Sequence, residues 1–187
     1  MDGLLGRFDL YNTYGPSEAT VCATYHRITN KENVSLIGKP VDNHCVLIVN
    51  DHNQIQPIGM PGEICIGGNG LTRGYLNQKE LNTEKFISNP FDKGQRLYKT
   101  GDIGILQEDG NICFIGRKDE QIKINGYRVE IGEIEEALQQ FDPINVAAVL
   151  FFEQDEVKAL KAFYTGNQKI ETGKLRSFLL ELSLIHI

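Results

Sequence analysis

Up to about residue 130 the apolar positions come in short runs, broken every few residues by Gly, Pro, Asn or Asp. That punctuation predicts strands joined by turns. "HCVLIVN" (44–50) reads as a buried strand leading into the polar turn "DHNQ", and "GEICIGG" (62–68) reads as another. In "DIGILQEDGNICFIGR" (102–117) two apolar runs flank Asp109-Gly110, the strongest short-range hairpin signal. "QIKINGYRVE" (121–130) repeats the pattern around Asn125-Gly126. After Glu130 the period changes. "IGEIEEALQQF" sets Ile131, Ile134, Leu138 and Phe141 at helical spacing, with Glu133, Glu135 and Glu136 in the first turns, where the helix dipole favours acids. "VAAVLFFEQDEVKALKAFYT" (146–165) reads as strand, turn, strand, and "KLRSFLLEL" (174–182) as a helix. The expected fold is mixed α/β, of the α+β kind. The strands suggest a small twisted barrel or sandwich: residues 1–117 are expected to form an edge strand-and-turn plus a small β-barrel subdomain, followed by a small α/β unit over 118–187, with no internal repeat and no low-complexity linker.

Composition narrows the classes without changing the fold. The 187 residues suit one medium domain or two small ones, and 41% hydrophobic with 24% charged is globular. A net charge of −6 argues against a nucleic-acid surface or an anionic-membrane surface. No apolar run is long enough to span a bilayer, and "MDGLLGRFDLYN" has none that would serve as a signal peptide. The four cysteines, at 22, 45, 65 and 113, have no C-x-x-C spacing, and the four histidines form no H-E-x-x-H. Reduced structural thiols in a cytoplasmic protein are expected.

Four segments carry candidate chemistry. In "NTYGPSE" (12–18) Tyr14 offers a flat face for a purine, and Gly15-Pro16 fixes a tight turn. Ser17 can bond a phosphate oxygen, and Glu18 can hold Mg²⁺, a hard cation that prefers oxygen. An ordinary turn explains the same residues. In "RLYKTGDIG" (96–104) Asp102 could accept both hydroxyls of a ribose, or satisfy its own backbone. The glycines at 67, 68, 70 and 74 in "EICIGGNGLTRGYL" fit neither G-x-G-x-x-G nor a Walker loop, so a structural loop is expected. In "GRKDEQIKINGYRVEIGEIE" (116–135) Arg117 could pair with a ribose or phosphate and Lys123 could reach an anion; a solvated charged hairpin is the plainer account.

The order of the segments is more specific than any one of them. "NTYGPSE", "GKP", "PGEICIGGNGLTRGYL", "YKTGD" and "GRKDEQIKINGYRVEIGEIE" together resemble the adenylation domains of nonribosomal peptide synthetases, within the adenylate-forming superfamily, over about residues 8–165. The resemblance implies a ligase that joins an amino-acid carboxylate to AMP from Mg·ATP. It then passes the acyl group to the phosphopantetheine thiol of a peptidyl carrier domain, among neighbouring synthetase domains. By motif, Asn12 and Tyr14 would hold the adenine, Gly15 and Pro16 shape the turn, Ser17 contact phosphate and Glu18 bind Mg²⁺. Asp102 would take the ribose hydroxyls, with Phe114 near the adenine and Arg117 near the ribose. Thr13, Val21 and Cys22 would line the amino-acid pocket. Asp119 would be the hinge of a mobile lid that begins near it. The lid would turn "KINGYRVE" toward the active site, with Lys123 counted beside Glu18 as catalytic and Gly126 making room for the pantetheine arm.

The departures also inform. The family's upstream phosphate loop, its amine-binding aspartate and its C-terminal Gly-Lys segment are absent from "SFLLELSLIHI" and from the rest of the chain. The expectation is a domain cut at both ends and inactive alone. Two alternatives stay open: a fragment of a stand-alone carrier-protein ligase or acyl-CoA synthetase, and a non-catalytic carrier-binding module. The intact Glu18 and Asp102 argue against the module.

Overall fold

A computed structural model describes residues 7–29, 35–118, 122–124, 127–154, 157–168 and 170–182, excepting the side chains of 122–124, 127–128, 153–154 and 157–158. The chain divides into two compact units, Met1–Asp119 and Glu120–Ile187. No helix among the described residues is long and apolar enough to cross a membrane.

Among its described residues the first unit holds eight strands: β1 (Leu10–Tyr14), β2 (Thr24–Ile28), β3 (Leu36–Pro40), β4 (His44–Val49), β5 (Pro61–Gly68), β6 (Phe86–Ser88), β7 (Arg96–Leu106) and β8 (Ile112–Arg117). They form one sheet in the order β1-β2-β3-β8-β7-β5-β4, with β6 added to β7. The strands at 44–50 and 62–68 and the Asp109-Gly110 hairpin lie where the apolar pattern puts them. At that hairpin Gly110 takes φ +82°, and the Asp109 carboxylate accepts from the Asn111 N–H and side-chain amide at 2.9 and 2.7 Å. Those bonds hold its carboxyl below the usual range.

The small barrel expected beside the edge strand-and-turn does not close: among the described residues the strands run as one open path from β1 to β4. The sheet is joined most sparsely at β3. Among the described residues its ladder to β2 is Thr24↔Pro40 and Tyr25↔Lys39, and its ladder to β8 is Leu36↔Cys113 and Gly38↔Ile112, with a register shift between them. Gly38 sits at φ +82°, and a Cβ there would lie 1.8 Å from the Tyr25 carbonyl oxygen, so only glycine lets the strands cross so closely. Burial on two faces does the work that closure would have done. Ile64 and Ile66 of β5 join Ala19, Ala23, Ile37, Ile48 and Ile112 on one face, while Cys65 joins Val49 and Leu97 on the other. A short helix, α1 (Lys79–Lys85), precedes β6; it buries no residue, which is why no apolar period announces it.

The second unit begins with the hairpin β9 (Ile122–Ile124) and β10 (Tyr127–Val129), whose Asn125-Gly126 tip lies outside the described residues. Helix α2 (Ile131–Gln139), strands β11 (Ile144–Gln154) and β12 (Val157–Gly166), and helix α3 (Thr172–Glu181) follow. Ile131 and Leu138 of α2 pack on Ile144, Ala147 and Val149 of β11, with Leu175 and Leu179 of α3 alongside. The Glu135 carboxylate accepts from the Val149 N–H at 2.8 Å, fastening helix to strand.

Candidate functional site

The "NTYGPSE" segment folds back on itself. β1 alternates, so Asn12 and Tyr14 turn to the half-buried face and Thr13 to the exposed one. Pro16 is extended and leads into a 3-10 turn, Ser17–Ala19. The N–H groups of Ala19 and Val21 both donate to the Pro16 carbonyl, at 3.0 and 3.1 Å, and Ala23 N–H returns to Tyr14 O at 2.8 Å. Thr20 and Val21 take φ +57° and +68° to make the reversal. A Cβ on Gly15 would lie 2.7 Å from both Ala23 N and Val21 O, so the turn requires glycine there.

This turn meets β7 and β8 at Asp102, which is 8% exposed. The Tyr14 hydroxyl donates to Asp102 Oδ2 at 2.5 Å, and Arg117 Nη1 donates to Oδ1 at 2.6 Å. Arg117 faces Asp102 directly across the β7–β8 ladder. Asp102 N–H donates to Thr100 Oγ1 at 3.0 Å, and that hydroxyl donates to Ile64 O at 2.8 Å, so the carboxylate stands on a buried scaffold. Burial, then the Asp102 charge, hold the Tyr14 phenol far above its ordinary pKa; it is a neutral donor. The Phe114 ring lies 6.4 Å from that of Tyr14, and Asn12 donates its side-chain amide to Leu36 O at 2.7 Å. Tyr14, Phe114, Asp102 and Arg117, drawn from three strands, are thereby brought together, with Asn12 on the same face of β1 as Tyr14.

Glu18 sits in the same turn and is also 8% exposed. Its Oε1 accepts from the Tyr75 hydroxyl at 2.5 Å, and Tyr75 Oη lies 3.2 Å from Tyr98 Oη. Burial first, then the bond to Glu18, raise the Tyr75 phenol far above its usual range. Ser17 beside it is exposed. Among the described residues there is no cluster of three or more His, Cys, Asp or Glu side chains. One carboxylate among oxygen donors suits Mg²⁺, which keeps its waters and shares substrate phosphates, and does not suit a caged transition metal.

Other expected site residues are more scattered. Val21 is 72% exposed, and Cys22 is half-buried with its thiol directed at Thr24 O, 3.6 Å away. Lys123 lies in β9 opposite Arg128, but its side chain, like Asp119 and Gly126, is outside the described residues. All four cysteines are free, and burial pushes the Cys65 thiol up to about 12. Sequence reasoning missed Thr100, Tyr75 and Tyr98. Thr100 adjoins "GD" and could have been tested as an Asp orienter; the partnership of Tyr75 with Glu18 spans 57 positions and leaves no local trace.

Residues 1–76 match the model of the AMP-binding enzyme family. Tyrocidine synthase 2 of Brevibacillus parabrevis is 47% identical over 175 residues, 93% of this chain and 5% of that protein. Tyrocidine synthase 3 of the same organism is 48% identical over 171 residues, 91% of this chain and 3% of that one. The solved structure of PA1221, an NRPS protein containing adenylation and PCP domains, matches with a TM-score of 0.75 at 32% identity, over 90% of this chain and 35% of that one. The chain thus spans about a third of the length of that structure and a twentieth or less of the two synthases. Sequence match, fold match and motif order agree: the first 76 residues match the AMP-binding enzyme family, and the chain as a whole is similar to a portion of nonribosomal peptide synthetases.

Proposed function

We propose that this chain is the C-terminal part of an ATP-dependent adenylation domain that activates an amino acid. A carboxylate oxygen of the amino acid attacks the α-phosphorus of ATP, the bond to the bridging oxygen breaks, and pyrophosphate leaves. The phosphopantetheine thiolate of a peptidyl carrier domain then attacks the acyl carbonyl, and AMP leaves. Residues 1–117 supply one wall of the nucleotide site. Residues 118–187 act as a mobile lid pivoting at Asp119, carrying Lys123 and Gly126 toward the site for the second step, in a cytoplasmic multidomain synthetase.

Each side chain has a part. Asp102 accepts the ribose hydroxyls from a position set by Thr100. Arg117 neutralises Asp102 and lies beside the ribose, while Tyr14, Asn12 and Phe114 line the adenine. Gly15 and Pro16 hold the turn that aims Ser17 at phosphate. Glu18 would hold Mg²⁺, which offsets charge on the phosphates in the transition state. Thr13, Val21 and Cys22 form a small uncharged wall for the amino-acid side chain.

The observation that carries this reading is Asp102 held between Tyr14 and Arg117 at 2.5 and 2.6 Å, with Phe114 alongside. In the full adenylating protein, amino-acid-dependent ATP–pyrophosphate exchange tests it. Asp102→Ala should chiefly raise KM for ATP, since the ribose is unchanged through the reaction. Glu18→Ala should chiefly lower kcat, by about 10²-fold or more, since its loss falls on the transition state. A pure kcat defect in Asp102→Ala with unchanged nucleotide affinity would overturn the assignment.

A further inference from the structure

The glycine-rich segment 67–76 has no phosphate-loop spacing, and the proposed function gives it no task. It is nonetheless fastened to the turn that carries Glu18. Thr72 N–H donates to the Glu18 carbonyl at 2.8 Å, the Thr20 hydroxyl donates to Gly70 O at 2.6 Å, and the Tyr75 hydroxyl donates to Glu18 Oε1 at 2.5 Å. Tyr75 is itself held on all sides. Its N–H donates to Asn82 Oδ1 at 2.6 Å and its carbonyl accepts from Asn82 Nδ2 at 2.7 Å, so one amide side chain locks its backbone. Its ring meets Phe86 edge-on, with centroids 5.7 Å apart, and Phe86 in turn meets Tyr98 at 5.1 Å. Tyr98 is 1% exposed and has its hydroxyl 3.2 Å from that of Tyr75. Arg96 closes the arrangement, lying over Phe86 and donating to the carbonyls of Thr72 and Arg73.

We propose that Tyr75, backed by Tyr98 and clamped by Asn82, is a positioning residue that orients the Glu18 carboxylate toward the Mg²⁺ accompanying ATP. The inference rests on the reading of Glu18 as the metal's carboxylate. A phenol bonded to one carboxylate oxygen fixes the rotation of the group, so it meets the cation in one orientation; partners one shell out from a metal commonly act this way. Phenylalanine would fill the same space, so Tyr75→Phe removes the bond to Glu18 and little of the packing.

The test is ATP binding to the full adenylating protein without amino acid, by calorimetry, once with EDTA and once with saturating Mg²⁺. Tyr75→Phe should leave the metal-free affinity unchanged and cut the gain on adding Mg²⁺ by about 10-fold or more; Tyr98→Phe should cut it less. An undiminished gain in Tyr75→Phe, with the gain abolished in Glu18→Gln, overturns the role of Tyr75 and leaves that of Glu18. An undiminished gain in Glu18→Gln overturns the metal reading itself. A Tyr75→Phe protein that loses metal-free binding and melts early, with Tyr98→Phe like the wild type, marks the hydroxyl as an anchor of the loop alone and also overturns the proposal.

Discussion

The sheet of the first unit and the hairpin of the second bury their strands differently. Glu63 to Gly67 of β5 are all buried, because β4 and β7 flank the strand and an apolar cluster lies on each face. In β11 alternate residues divide. Ala147 and Val149 face α2, while Val146, Leu150 and Phe152 are exposed with Phe163 of β12. Both strands read as near-continuous apolar runs in the sequence. An apolar run therefore states that a strand can be buried, and its neighbours decide on how many faces. The strand buried on both faces also supports chemistry: Ile64 O anchors Thr100, which anchors Asp102.

The comparison breaks first at Ile64. It is fully buried, so Ile64→Ala should cost about 2–5 kcal/mol, while Leu150→Ala, at a site 51% exposed, should cost roughly 1 kcal/mol or less. Urea unfolding of both variants decides it; equal losses would mean that both strands are buried alike. Next comes Thr100→Val, which keeps the shape and removes the hydroxyl that both donates to Ile64 O and accepts from Asp102. A loss of about 1–3 kcal/mol is expected, with a raised KM for ATP in the full protein; unchanged nucleotide affinity would separate the scaffold from the site.

An alkaline titration probes the same scaffold. Tyr14 and Tyr75 have folded pKa values well above the ordinary phenol value of about 10. Their stabilisation is complete below that value and is lost as pH rises above it, because the unfolded chain then releases protons that the folded one keeps. Of seven tyrosines, these two should contribute no phenolate absorbance until unfolding. Phenolate absorbance from either before unfolding would show the site to be open. The smallest effect is expected for Leu150→Thr, within about 0.5 kcal/mol on an exposed strand face. A loss near that of Ile64→Ala would show that face to be covered.

Much of this was legible. The Asp109-Gly110 hairpin, β4, β5, α2 and the β11–β12 pair all follow from local period and turn residues, and the motif order pointed to Tyr14, Glu18, Asp102 and Arg117. What failed to show was non-local. β3 has five residues with a glycine in the middle and takes its neighbours from residues 24–25 and 112–113, so nothing near it announces an open sheet. α1 has a single apolar residue, Leu81, and buries none, and one apolar position leaves no periodic signal. The bond from Tyr75 to Glu18 joins a loop that looked structural to a turn that looked catalytic, and only folding puts the two together.

The pairing of β3 with β8 has a consequence for synthesis on the ribosome. The β1–β2–β3 stretch, with Asn12 and Tyr14 already on it, is translated long before Ile112 and Cys113 exist to pair with it. At ~5–20 residues per second that interval is about 4–15 s. Throughout it the nascent chain presents an unsatisfied β3 edge, and Tyr14 has no Asp102 to bond. A slow codon cluster between residues 40 and 112 would lengthen the exposure, and a chaperone that shields strand edges would matter most for this stretch of the polypeptide.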